Sequence, residues 1–260
     1  MSKKTRRHER ILSVLDANPS IRVKELADEL GVSSETVRRD LTELDNTGRI
    51  ARTYGGAVRT KAFEPALAER LKLHIAQREA IARLAVERAG TASSLFIGGG
   101  ATTLHFARAL RQTSRRLTVL TPAFSIATEL STNPMIEVMA LPGIVEPKEG
   151  VVYGGETLKC IAQFRTPLAV IGASGVDADG VSEALLNVAQ VYSAMVRHSD
   201  ETLVLADSSK FGVRSLQQVV GLERNVCLVT QKEPEPALQA AIRQRGAELL
   251  YDTSRSESRP

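Results

Sequence analysis

Cysteine is nearly missing from this sequence. Its two thiols, Cys160 and Cys227, lie far apart and lack the spacing of a metal-ligand set, so they read as ordinary thiols of a reducing compartment and no metal is expected. Long apolar runs are missing too. No stretch approaches the roughly 20 residues that span a bilayer, so no membrane partner is expected. The basic start, Met1 to Arg10, leads directly into an amphipathic pattern without an apolar core or a small-residue cleavage site. No secretory signal is expected, and the cytoplasm is the expected location. Histidine is sparse, at His8, His74, His105 and His198. Neither Gly-x4-Gly-Lys-Ser/Thr nor Gly-x-Gly-x-x-Gly with a following acid occurs, so no nucleotide cofactor, and no cofactor of any kind, is expected.

What is present is an ordinary globular composition, 43% hydrophobic and 25% charged. Charge is unevenly placed. Residues 1–61 hold 13 of the 34 Lys and Arg but only 9 of the 30 Asp and Glu, while residues 62–260 balance at 21 and 21. The whole excess of +4 therefore sits in the first quarter, which points to a polyanion such as DNA.

That quarter has the periodicity of short helices. Ile11, Val14 and Leu15 mark one apolar face, and Val23, Leu26, Ala27 and Leu30 mark another. Gly31 follows where a helix end favours left-handed backbone, and Ser33 or Ser34 suits the start of the next helix. Val37, Leu41 and Leu44 supply that helix's buried face; Asn46 and Gly48 end it. Two helices joined by so short a turn form a helix-turn-helix. The 3.6-residue repeat places Glu35, Arg39 and Thr42 opposite the buried face, with Arg38 on the flank. Ser33, Ser34, Glu35, Thr36, Arg38, Arg39 and Thr42 are the candidate DNA contacts, because arginine pairs with guanine while hydroxyls serve phosphates or bases. The alternation through Ile50, Arg52 and Tyr54, bent at Gly55-Gly56, predicts a β-ribbon wing on which Arg49, Arg52 and Arg59 meet phosphates.

Arg7-His-Glu-Arg-Ile11, Lys24-Glu-Leu-Ala27, Gly31-Val-Ser-Ser-Glu-Thr-Val-Arg-Arg-Asp-Leu41 and Arg52-Thr-Tyr-Gly-Gly-Ala57 together resemble the N-terminal DNA-binding segment of the DeoR family of bacterial regulators.

Residues 1–60 are thus expected as a winged helix-turn-helix domain, 61–78 as a polar connector, 79–252 as a larger α/β domain and 253–260 as a disordered polar tail. In the larger domain, apolar runs at 94–97, 117–121, 136–141, 168–172, 201–206 and 225–230 alternate with helical segments. Such alternation predicts βαβ units and a mostly parallel sheet covered on both faces. Ligands gather where strands of such sheets end. Three strand-ending loops carry suitable chemistry: Ile97-Gly-Gly-Gly-Ala-Thr-Thr103, Ile171-Gly-Ala-Ser-Gly-Val-Asp177 and Ala206-Asp-Ser-Ser-Lys-Phe-Gly212. They offer backbone N–H groups, hydroxyls, Asp207 and one ammonium, Lys210, for an oxyanion. The candidate effector contacts are Gly99, Gly100, Thr102, Thr103, Gly172, Ser174, Gly175, Asp207 and Lys210.

Thr102-Thr103, Gly172-Ala-Ser-Gly-Val176 and Leu205-Ala-Asp-Ser-Ser-Lys-Phe-Gly212 resemble the DeoR sensor domain. The resemblance implies a fold like that of ribose-5-phosphate isomerase, a phosphorylated sugar or polyol as effector (glycerol 3-phosphate the first candidate), and a homo-oligomer, dimer or tetramer, on double-stranded operator DNA. The chain departs from the family pattern at Gly98, where an aspartate is usual, at Ala101, at Pro122-Ala123, and at Tyr192-Ser193, where basic residues are common. Two other readings compete. One is a sugar-phosphate isomerase with a DNA-binding extension, using Asp177, Asp179 or Asp207 as base; the missing acid at Gly98 and the absence of histidine from the loops weigh against catalysis, and no catalytic residue is assigned. The other is a DNA-binding protein whose second domain only dimerises.

Overall fold

The computed structural model describes residues 3–17, 21–46, 50–53, 56–59 and 65–252. The chain divides into two compact units, Met1–Pro65 and Ala66–Pro260.

The first unit holds α1 (Lys3–Ala17), α2 (Val23–Leu30), α3 (Ser34–Asn46) and the strands β1 (Ile50–Thr53) and β2 (Gly56–Arg59). Gly31, at φ 63° and ψ 37°, ends α2 as expected: its N–H bonds to Asp28 O and that of Val32 to Ala27 O. This closes the last turn by two bonds and swings the chain into α3. The apolar stripes of the three helices meet in one small core of Ile11, Leu12, Val14, Leu15, Ile21, Leu26, Ala27, Val37, Leu41, Leu44 and Ile50. β1 and β2 pair antiparallel, Ile50 opposite Arg59 and Arg52 opposite Ala57.

The second unit begins with α4 (Leu67–Arg70) and α5 (Ile75–Ala89). Residues 66–78, expected as part of a connector, belong to this unit instead. Arg70 is buried and pairs with Glu149 at 2.6 Å, and the Leu67 N–H reaches Lys148 O. Polar residues hid this packing because arginines carry it. The unit then runs through β3 (Ser94–Ile97), α6 (Ala101–Leu110), β4 (Leu117–Thr121), α7 (Phe124–Leu130), β5 (Ile136–Ala140), β6 (Ile144–Glu146), β7 (Val151–Tyr153), α8 (Gly155–Ile161), β8 (Thr166–Gly172), β9 (Gly175–Asp177), β10 (Gly180–Glu183), α9 (Leu186–Arg197) and β11 (Ser199–Leu205). A 3₁₀ turn (Ser208–Lys210), β12 (Gln217–Val220), β13 (Val226–Thr230), α10 (Pro236–Arg245) and β14 (Glu248–Tyr251) complete it.

Seven strands form a wholly parallel sheet in the order β14-β13-β11-β8-β3-β4-β5. Its central strands are apolar on both faces, as a sheet sandwiched between helices requires; Leu95, Phe96, Ile97, Ala169, Val170, Ile171, Leu203 and Val204 are all buried. From the seam between β3 and β8 the chain winds outward in opposite directions. Right-handed crossovers therefore set α6 on one face and α9 on the other. Packing agrees: α5 and α7 lie against α6, and α8 against α9. Two smaller antiparallel arrays, β6-β7 and β12-β10-β9, flank the sheet.

Candidate nucleic-acid interface and ligand crevice

α3 sorts its side chains by face. Val37, Leu41 and Leu44 are buried to within 1% exposure, while Glu35, Arg38, Arg39 and Thr42 are exposed. Ser33 lies outside the helix and caps it: its Oγ accepts the Thr36 N–H at 3.2 Å and lies 2.9 Å from Thr36 Oγ1. Ser34 and Thr36 are half-buried, and the Thr42 hydroxyl donates to Arg38 O at 2.9 Å. The exposed face thus carries two guanidiniums and one free-facing carboxylate near the helix N-terminus, chemistry suited to base edges and phosphates. Arg52 lies on β1 and Arg59 on its antiparallel partner β2; Arg49, Tyr54 and Gly55 lie outside the described residues.

The sequence reading missed what holds this helix. Asp40 sits on the buried side of α3, fully covered. Arg7 on α1 donates to it through Nε at 2.5 Å and Nη2 at 3.0 Å, and His8 Nε2 lies 3.2 Å away. Burial alone would raise the Asp40 pKa, but the bonds from Arg7 and His8 outweigh it and hold the carboxyl below its ordinary value. Lys4 extends the clasp to Glu43 at 2.6 Å. The available signal was a carboxylate three residues after Val37, on the apolar stripe.

In the second unit the loop after β3 faces the loop after β8. The Gly98 N–H bonds to Val170 O at 2.8 Å, and a Cβ placed on Gly172 would lie 3.9 Å from both Gly99 O and Thr103 Cγ2. Gly100, at φ 130°, precedes α6, and the buried Thr103 hydroxyl donates back to its carbonyl at 3.1 Å. Thr121 at the end of β4 ties the neighbouring loop in, donating to Ile97 O at 2.7 Å and accepting from the Ala123 N–H. Gly100, Thr102, Gly172 and Ala173 border solvent; Gly98, Gly99 and Thr103 do not. This seam is the point where strand order reverses, the crevice in which open α/β sheets hold ligands.

The other candidates have local structural ties. Gly175 lies in β9, where a Cβ would collide with the Val213 carbonyl, and the Ser174 N–H bonds to Ser182 O. Asp207, 1% exposed, caps the 3₁₀ turn: its Oδ1 accepts the Ser209 N–H at 3.0 Å and the Ser209 hydroxyl at 2.5 Å. Its Oδ2 accepts no hydrogen bond from the described residues. Buried Arg78 on α5 places its Nη2 3.8 Å from that oxygen, and its Nη1 donates to the carbonyls of Arg70 and Leu73. Lys210 is half-buried in the same turn. Arg78 was missed because it extends an apolar stripe, one turn before Ile81 and Ala82. His105 on α6 is buried, and its Nε2 has no hydrogen-bond partner among the described residues; burial, then Arg108 and Arg78, lower its pKa and favour the neutral ring.

Comparison with known proteins agrees with both halves of this arrangement. Residues 7–63 match the DeoR-like helix-turn-helix domain, and residues 73–232, more than half of the chain, match the DeoR C terminal sensor domain. The chain belongs to the DeoR family. This DeoR-family chain is 28% identical to the HTH-type transcriptional repressor CsqR of Escherichia coli K12, over 94% of each chain. It is 27% identical to the Glycerol-3-phosphate regulon repressor of the same organism, over 92% of this chain and 96% of that one. Among solved structures, ribose 5-phosphate isomerase A of Methanocaldococcus jannaschii aligns with 52% of this chain and 53% of its own, at 16% identity and a TM-score of 0.39. A DNA-binding domain joined to a sensor domain makes the chain a transcriptional regulator rather than an enzyme. Among the described residues, no helix is long and apolar enough to cross a membrane.

Proposed function

We propose that this DeoR-family regulator is a cytoplasmic repressor of a carbohydrate- or polyol-catabolic operon, released from double-stranded operator DNA by a phosphorylated sugar or polyol. It binds as a homo-oligomer, dimer or tetramer, with α3 of each DNA-bound pair in successive major grooves about 34–36 Å apart. The observation that carries the reading is the outer face of α3, where Arg38 and Arg39 are exposed while Val37, Leu41 and Leu44 are buried behind them. Ser33, Ser34, Glu35, Thr36 and Thr42 join the two arginines as DNA contacts, and Arg49, Arg52 and Arg59 meet the backbone phosphates.

The effector enters the seam between β3 and β8. Its phosphate takes the N–H groups around Gly100 and Thr102 at the start of α6, with Lys210 as cation. Relatives whose names speak of a glycerol-3-phosphate regulon support glycerol 3-phosphate as the first candidate. The reading is tested by fluorescence anisotropy on labelled DNA upstream of the protein's own operon, with glycerol 3-phosphate and other sugar phosphates added. Saturable binding, reversed by one of these ligands at up to millimolar concentration, is expected. No preference over unrelated DNA at physiological salt would overturn it.

A further inference from the structure

We propose that Tyr192 sets the size of the effector, restricting the sensor domain to a short phosphorylated polyol or sugar and excluding hexose phosphates. The inference rests on reading the seam between β3 and β8 as the effector site. Tyr192 comes from α9, on the opposite face of the sheet from α6, and is 4% exposed. Its hydroxyl donates to Gly99 O at 2.8 Å, the carbonyl that faces Gly172 across the seam. A Cβ on Gly98 would sit 2.9 Å from the ring carbon Cε1, so the ring lies directly on the Gly98 backbone. Val151 and Ala123 close over Gly99 in the same way. The α9 side of the crevice is therefore filled by the protein itself.

What remains in contact with solvent is the α6 side: Gly100, Thr102, Gly172 and Ala173. A ligand anchored by its phosphate at the start of α6 has only that side for the rest of its length. The tyrosine does not yield easily. Its ring is stiff, it is enclosed by the core, and moving it would strand the Gly99 carbonyl without its buried partner. Truncation to alanine would open a cavity on the order of 150 Å³, the size that admits a benzene ring in engineered cores.

The test compares Kd for glycerol 3-phosphate and glucose 6-phosphate, by calorimetry on the full chain and its variants. The wild type is expected to bind glycerol 3-phosphate more tightly, and Tyr192→Ala to move the ratio of the two constants at least tenfold toward the hexose phosphate. Tyr192→Phe keeps the ring and is expected to keep the wild-type ratio even where the lost hydroxyl lowers Tm; a purely structural tyrosine would change stability without changing the ratio in any variant. Where Tyr192→Ala does not fold, Tyr192→Leu reads the same quantity. An unchanged ratio in truncated variants that still bind, or a wild type preferring glucose 6-phosphate, overturns this proposal and leaves the effector reading standing. A wild type that binds neither probe overturns both.

Discussion

Arg7 grips Asp40 with two hydrogen bonds, although Asp40 directly follows the exposed pair Arg38 and Arg39 in sequence. The helix turns its two arginines to solvent and its carboxylate to α1 by the same 100° step per residue. Removing one partner leaves a buried charge uncompensated, which destabilises by about 3–5 kcal/mol. A domain of some sixty residues has roughly that much stability in total. Arg7→Ala, which leaves the fully covered Asp40 carboxylate without its two guanidinium bonds, is therefore expected to unfold the first unit at temperatures the wild type survives, with loss of DNA binding and retention of the second unit's melting transition in calorimetry.

The same pair predicts a pH dependence. Because the folded-state pKa of Asp40 is depressed, its contribution is complete above the ordinary carboxylate value of 3.8 and disappears as pH falls below that toward the lower folded value. Chemical denaturation of residues 1–65 within the full chain should show the wild type's advantage over Asp40→Asn shrinking through that acidic window. An advantage that is constant with pH would contradict the assignment.

Arg38→Ala and Arg39→Ala act in the opposite way. Both side chains are exposed, so Tm should shift by no more than about 0.5 kcal/mol equivalent. Operator affinity in a gel shift is expected to fall beyond detection in each, and any residual binding to show a shallower salt dependence. Wild-type affinity in both variants would remove α3 from the interface.

Two glycines should respond differently to alanine. At Gly99 a Cβ collides with Val151 Cγ1, whereas at Gly155, the first residue of α8, nothing lies within 4 Å. Gly99→Ala is expected to destabilise by about 1–3 kcal/mol through overpacking; Gly155→Ala is expected to be neutral or to stabilise by up to about 1 kcal/mol. Thermal unfolding of the two purified variants distinguishes them.

Burial pushes the Cys227 thiol up to about 12, which leaves almost no thiolate at neutral pH. A thiol reagent at pH 8 should label Cys227 only after the second unit is unfolded. Labelling at the rate of a free cysteine in the native protein would contradict its burial on β13.

Much of this architecture was legible from local pattern. The six apolar runs of the larger domain became β3, β4, β5, β8, β11 and β13; apart from β5 at the sheet's edge, these strands are largely buried on both faces and so are continuously apolar. Gly31 between two amphipathic stripes marked the helix-turn-helix, because few residues accept left-handed backbone. The strands β6, β7, β9, β10, β12 and β14 were not read. Each has only three or four residues, too few for a period, and they form because neighbours present open edges.

The amino-acid order by itself determined which faces of the helices are apolar, where strands end in glycine and hydroxyl, and that surplus positive charge belongs to the first quarter. These properties depend on neighbours a few residues away. Only the tertiary structure decided that Asp40 meets Arg7, that Asp207 lies beside Arg78, and that Tyr192 covers Gly98 and bonds to Gly99. Each of those pairs joins residues more than thirty positions apart. A charge or a phenol on a buried stripe announces that it needs a partner, but which distant group supplies it depends on how the elements pack.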